Sequence, residues 1–167
     1  MLRHLVARAL GVLVREDEDA VVALDNADAM LERARQQCNE AGLSNVDCLL
    51  ADALQPQQLP AADCVVCNMV LHHMPAPAEA LKRFAALLKP GGSLVLTELC
   101  SHDQSWVRDS CGDLWLGFDQ DDIARWAEAA GLRPGNSQYI GLRNGFQLQL
   151  LQLAKPDSLS PEDRKDP

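Results

Sequence analysis

Aromatic residues are scarce in this chain, 4% of 167 residues with a single tyrosine, so alanine and leucine must fill most apolar positions. Positive charge is short as well. Fifteen Lys and Arg face twenty-four Asp and Glu, a formal charge of −9. That balance argues against direct nucleic acid binding, which needs clustered basic residues. No apolar run is long enough to span a bilayer, so no membrane association is expected. The opening MLRHLVARALGVLVRE has no long apolar core followed by a small-residue cleavage site, and it reads as an ordinary helix of a cytoplasmic protein. Six cysteines are present without a disulfide framework, and Cys38, Cys64, Cys67 and Cys100 fall on apolar positions. Cys64 and Cys67 lie three apart on an expected strand and point to opposite faces, and no second pair follows at zinc spacing. No metal site is expected. Glycine is thin at the front, where Gly11 is the only one before Gly42.

With 47% hydrophobic and 23% charged residues, the chain has the composition of one soluble globular domain. Its organising stretch is Ala62 to Leu99. An apolar run, Cys64 to Leu71, ends in His72-His73. A helix follows with Ala80, Leu81, Phe84, Leu87 and Leu88 on its apolar side. Pro90-Gly91-Gly92 then opens a second apolar run, Ser93 to Leu99. The runs are continuous rather than alternating, as in parallel strands covered on both faces, and the connection has the length of a crossover.

Around this unit the periodicity predicts a helix over 2–14, a strand at Ala20–Leu24 and a helix with the stripe Ala27, Met30, Leu31, Ala34, Cys38 and Ala41. Asn26 or Asp28 would cap that helix, and Gly42 would stop it. A strand at Val46–Leu50 and a polar loop at Gln55–Pro60 come next. Asp119 begins a helix with Ile123, Trp126, Ala127 and Ala130 on its apolar face, stopped by Gly131. Asn144-Gly145 joins strands Gln138–Leu142 and Phe146–Leu153 as a hairpin. A polar tail over 156–167 is expected to be disordered. The pattern implies a three-layer α/β domain with a mostly parallel sheet and a C-terminal antiparallel hairpin. Ligands of such sheets sit beyond the carboxyl ends of the strands, where Asp25, Asp52, Asn68 and Glu98 all fall.

This order of motifs resembles the class I S-adenosylmethionine-dependent methyltransferases, with a Rossmann-like fold, over residues 1–155. The segments VVALDNADAMLERAR, LLADAL, CVVCNMVLHHM and LLKPGGSLVLTEL carry the resemblance. It implies S-adenosylmethionine as cofactor and a small-molecule methyl acceptor. Asp25, with Asn26 beside it, would hold the ribose hydroxyls. Asp52 would face the adenine amino group, with Ala53 offering its backbone amide, and Asn68 would lie beside the methionine part. HDQSWVRDSCGDLWLGF is similar to a bacterial subgroup often fused to ArsR-type DNA-binding domains. The family's acidic-x-Gly-x-Gly-x-Gly loop and the first strand before it have no counterpart here. The resemblance thus predicts a domain with its first strand missing between the second and fourth, so that either the sheet closes over the gap, a partner chain fills it, or the sequence is a fragment, the last being the favoured expectation.

Each of these residues also has a plainer reading. Asp25 could cap the following helix, Asp52 could be a solvated loop carboxylate, and Asn68 could end its strand. His72, His73 and His102 are the candidate catalytic residues, because imidazole accepts a proton near neutral pH. One of the paired histidines could equally pack while the other faces water, and Glu98 could pair locally. Trp106, Trp115 and Phe118 read as core packing rather than a lid. A non-catalytic ligand-sensing domain of a regulator, or an inactive fragment, stands as the alternative function, and a homodimer is compatible with the sequence.

Overall fold

A computed structural model describes residues 10–15, 20–52 and 59–157. Seven strands form one sheet in the order β3-β2-β1-β4-β5-β7-β6. In chain order they are β1 (Leu10–Arg15), β2 (Ala20–Asp25), β3 (Val46–Leu50), β4 (Ala62–Asn68), β5 (Leu88–Leu99), β6 (Arg133–Gly141) and β7 (Gln147–Ala154). Among the described residues four helices accompany them: α1 (Asp28–Glu40), α2 (Pro77–Leu87), α3 (Trp106–Cys111) and α4 (Gln120–Ala129), with a 3-10 turn at Leu71–His73. The mixed α/β architecture is the one expected.

Strand β1 corrects the expectation of a helix over 2–14 and of an open gap in the sheet. Residues 2–9 lie outside the described residues, but Leu10–Arg15 is a strand between β2 and β4. It runs antiparallel to both, pairing Val12 with Ala23 on one side and with Val66 on the other. The segment LGVLVR carries a weak helical stripe, yet Val12 and Val14 are β-branched and suit a pleated surface. An unfilled place would leave the inner edges of β2 and β4 unpaired. Two ladders outweigh a local helical preference. Only β2–β3 and β4–β5 pair in parallel; β1–β2, β1–β4, β5–β7 and β6–β7 are antiparallel, which corrects the expectation of mostly parallel pairing, because β1 enters the sheet in reverse.

Side-chain alternation along β1 and β4 divides the core between two faces. Leu13, Val65 and Cys67 join Leu81, Phe84, Ile123 and Ala127 in the larger cluster under α2 and α4. Val12, with Val66 packed beside it, meets Ala23 and Leu31 under α1. A third, small cluster, Leu99, Val107 and Phe146, closes the end near α3.

Helix α1 begins at Asp28 with Ala27 as its cap residue and no side-chain cap, so neither Asn26 nor Asp28 caps it as expected. Its end follows the expectation. Gly42 adopts φ +67°, Leu43 N–H donates to the Cys38 carbonyl and Gly42 N–H to that of Asn39, the two bonds of a Schellman stop. Helix α2 starts with Pro77 and passes directly into β5 at Leu88, earlier than the Ser93 expected. The 3-10 turn likewise ends the expected Cys64–Leu71 strand at Asn68. Met69 has φ +54° there, a left-handed conformation that non-glycine residues adopt at a cost of about 1–3 kcal/mol.

Candidate functional site

Asp25 ends β2. Its Oδ1 accepts the Ala27 N–H at 2.7 Å, an Asx-type contact made by the residue two before the helix cap. Its Oδ2 is buried and has no hydrogen-bond partner among the described residues. Burial raises its pKa above the ordinary carboxylate value, and the N–H groups of Ala27 and Asn26 only partly offset this. A buried carboxylate oxygen without a donor is costly, and a ligand hydroxyl would relieve the cost.

Asp25 is one of the residues that line a cavity of about 360 Å³. Asp25, Asn26, Ala51 and Asp52 line one end, from the carboxyl ends of β2 and β3. Leu13, Val65 and Cys67 form an apolar floor, Phe84 and Leu87 come from α2, and His73 completes the opposite wall with Met74 and Pro75. Three of the residues expected to hold a nucleoside thus meet at one cavity. Ala53 lies outside the described residues. Asn68 ends β4 half-buried, and it does not line the cavity.

The histidines separate. His102 stands edge-on to Phe146 at 4.8 Å, and its Nδ1 accepts the Gln104 N–H. It is not part of the cavity wall. His72 and His73 have ring centroids 4.1 Å apart. His72 is buried, and its Nδ1 lies 2.6 Å from Glu98 Oε2. Glu98, fully buried at the end of β5, also accepts the N–H of Leu71 at 2.6 Å and that of Leu99 at 3.3 Å. Desolvation opposes protonation of His72. The hydrogen bond and charge of Glu98, with the charge of Asp113, outweigh it and set the pKa above the usual histidine value.

Asp113 is the residue that sequence reasoning missed. Gly112 caps α3 in the left-handed conformation, φ +75°. The chain then folds back so that the N–H groups of Leu114 and Trp115 both donate to the His72 carbonyl, at 3.0 and 3.1 Å. Trp115 Nε1–H donates to the Met74 carbonyl at 2.9 Å. These bonds press the buried Asp113 carboxylate toward both histidine rings, 3.9 Å from His72 Nε2 and 3.7 Å from His73 Nδ1. Nothing in the local pattern of SCGDLW marks Asp113, because the bonds that place it reach back some forty residues.

The aromatic residues divide as well. Phe118 is buried, and its ring, Trp115 and Trp126 pack against one another with centroids 5.7–6.4 Å apart. Trp106 is 52% exposed, so the core-packing expectation fits Phe118 and does not fit Trp106. Cys67 is buried in the floor, where desolvation keeps its thiol protonated far above the usual range.

Residues 6–96, more than half of the chain, match the family model described as a methyltransferase domain. This chain belongs to that family. The methyltransferase domain is 33% identical over 88 residues to a ubiquinone biosynthesis O-methyltransferase from Idiomarina loihiensis, covering 52% of this chain and 36% of that protein. Among solved structures it is similar to the [4+2]-cyclase SpnF, with a TM-score of 0.69 at 18% identity, covering 82% of this chain and 66% of the other. It is also similar to the N-methyltransferase NodS of Bradyrhizobium japonicum in complex with S-adenosyl-L-homocysteine, with a TM-score of 0.64 at 18% identity, covering 81% and 66%. These structures share its fold, yet one is a cyclase and the other an N-methyltransferase, so the site must carry the functional argument. The matched part spans about a third of the Idiomarina protein's length.

Proposed function

We propose that this domain binds S-adenosylmethionine in the 360 Å³ cavity and transfers its methyl group to a small-molecule acceptor. The observation that carries the reading is Asp25, a cavity-lining carboxylate at the end of β2 whose Oδ2 has no hydrogen-bond partner among the described residues. Asp25 accepts from the vicinal ribose hydroxyls, with Asn26 beside it, and Asp52 accepts from the exocyclic amine of the base. The fit covers the nucleoside half. Among the described residues no glycine-rich turn stands ready for the amino-acid half.

The bound cofactor supplies an activated methyl group on a sulfonium. The chain's own residues orient and desolvate. Leu13, Val65, Phe84 and Leu87 exclude water from the cavity, and much of the rate of an in-line transfer comes from such positioning. His73, on the wall and partly exposed, is placed to take a proton from an acceptor hydroxyl or amine. His72 is a positioning residue here, held by Glu98 behind it. The net charge of −9 suits a cationic cofactor and disfavours nucleic acid as substrate. Among the described residues no helix is long and apolar enough to cross a membrane.

Isothermal titration calorimetry with S-adenosylmethionine and S-adenosylhomocysteine tests the reading. Wild type is expected to bind both, and Asp25→Ala to weaken both at least about tenfold, the loss of a charge-assisted pair of hydrogen bonds. A folded wild type that binds neither overturns it. Production of S-adenosylhomocysteine with candidate acceptors then separates catalysis from ligand sensing.

A further inference from the structure

Methyl transfer gives Asp113 no part, and it leaves unexplained why this carboxylate is held against His72 and His73. The three candidate ligand atoms of this cluster lie within 4.8 Å of one another. The separations of 3.9 and 3.7 Å are too long for direct hydrogen bonds. Asp113 Oδ1 is buried and has no hydrogen-bond partner among the described residues, and the Asp113 side chain is only 4% exposed. A carboxylate oxygen fixed between two imidazoles, near both and bonded to neither, is poorly satisfied as it stands. One cation among the three would satisfy Asp113 Oδ1, with His73 Nδ1 giving up its long 3.4 Å contact with the Gly112 carbonyl. Nitrogen and oxygen ligands about 2.0–2.2 Å from a tetrahedral ion stand about 3.3 Å apart, so the two carboxylate–imidazole separations must close by about half an ångström and the widest pair by up to about 1.5 Å, a rotamer adjustment of the exposed His73.

The residue behind the cluster points the same way. Glu98 Oε2 takes the Nδ1 side of His72, which leaves the lone pair of Nε2 on the side of Asp113 when the ring is neutral. Metal-ligating histidines are commonly held in this way by a carboxylate on the second nitrogen. We propose that His72 Nε2, His73 and Asp113 Oδ1 form a binding site for a divalent transition-metal ion of the zinc type, with Glu98 as the positioning residue for His72. Two imidazoles and one carboxylate suit zinc, iron(II) or cobalt(II) better than magnesium or calcium, which prefer oxygen ligands throughout. Three protein ligands leave a coordination position open. His73 belongs both to the cluster and to the cavity wall, so an oxygen of a cavity ligand can occupy that position, and the proton-accepting role proposed for His73 then belongs to the metal-free site alone. The sequence by itself led to the opposite expectation. Paired histidines carry no metal spacing of their own, and Asp113 joins them only through the fold.

The test is a cobalt(II) titration of the metal-stripped full chain under reducing conditions, followed by visible absorption, with zinc(II) as competitor. Saturable binding of one equivalent is expected, with the d–d bands of nitrogen and oxygen ligation, together with a rise in melting temperature on adding zinc. Asp113→Asn and His73→Gln should each weaken binding at least tenfold. His73 is the exposed member of the cluster, so its variant keeps the test valid if Asp113→Asn folds poorly. Glu98→Gln removes no ligand but favours the other ring tautomer of His72, and should weaken binding about 10–100-fold. Cys111→Ser should change nothing. Absence of saturable binding, equal affinity in the His73 and Asp113 variants, or a thiolate-to-cobalt charge-transfer band lost in Cys111→Ser would each overturn the proposal. None of these readouts depends on the methyl donor, so failure of S-adenosylmethionine binding leaves this test intact.

Discussion

At the scale of single residues, Asp25 combines the ligand-binding role proposed for it with a cost to the unliganded fold. Burial raises its pKa from 3.8, so the folded protein holds that proton to higher pH than the unfolded chain does. Stability from this group is therefore greatest below the unfolded value and is lost as pH rises through the raised folded one. Asp25→Asn removes the buried charge while keeping an oxygen for the Ala27 N–H. The variant should stabilise the unliganded protein at pH 7 by up to about 1 kcal/mol in urea unfolding, with the gain shrinking toward pH 4, while weakening S-adenosylhomocysteine binding. The position of Asp25 was legible from the sequence, because an apolar run ending in an acidic residue before a helix marks a strand end. Its unpartnered Oδ2 was not, since that depends on what the neighbouring strands leave unoccupied.

At the scale of elements, β1 is where local pattern and final structure disagree. Leu10 and Leu13 fall on a helical stripe, yet Val12 and Leu13 end up on opposite faces of the sheet, in separate core clusters. A strand paired on both sides cannot tolerate proline, because whichever ladder uses the lost N–H is broken. Val12→Pro should cost about 3 kcal/mol or more by urea unfolding, well above Gln138→Pro in the exposed edge strand β6. Equal losses at the two positions would contradict a central β1. Helices α1 and α4 were legible because both signals are local. Their apolar stripes have helical period, and Gly42 and Gly131 supply the left-handed stops at φ +67° and +78°.

At the scale of the whole molecule, Glu98 ties together segments far apart in the chain. It joins the end of β5 to the 3-10 turn through Leu71 and His72, and the backbone of His72 in turn holds Leu114 and Trp115. Glu98→Ala should cost about 3–5 kcal/mol in urea unfolding, because it strands buried donors. Glu98→Gln should cost less, since one oxygen can still accept the Leu71 N–H. The sequence by itself determined the alternation of strands and helices, the hairpin at Asn144-Gly145, and the set of acidic strand ends that face one edge of the sheet. All of these follow from side-chain periodicity and turn chemistry within a few residues. The tertiary structure alone decided that Leu10–Arg15 enters the sheet in reverse, that His102 parts from His72 and His73, and that Asp113 joins those two. Each of those outcomes depends on partners tens of residues away, and no local pattern encodes a pairing whose energy is gained only when distant segments meet.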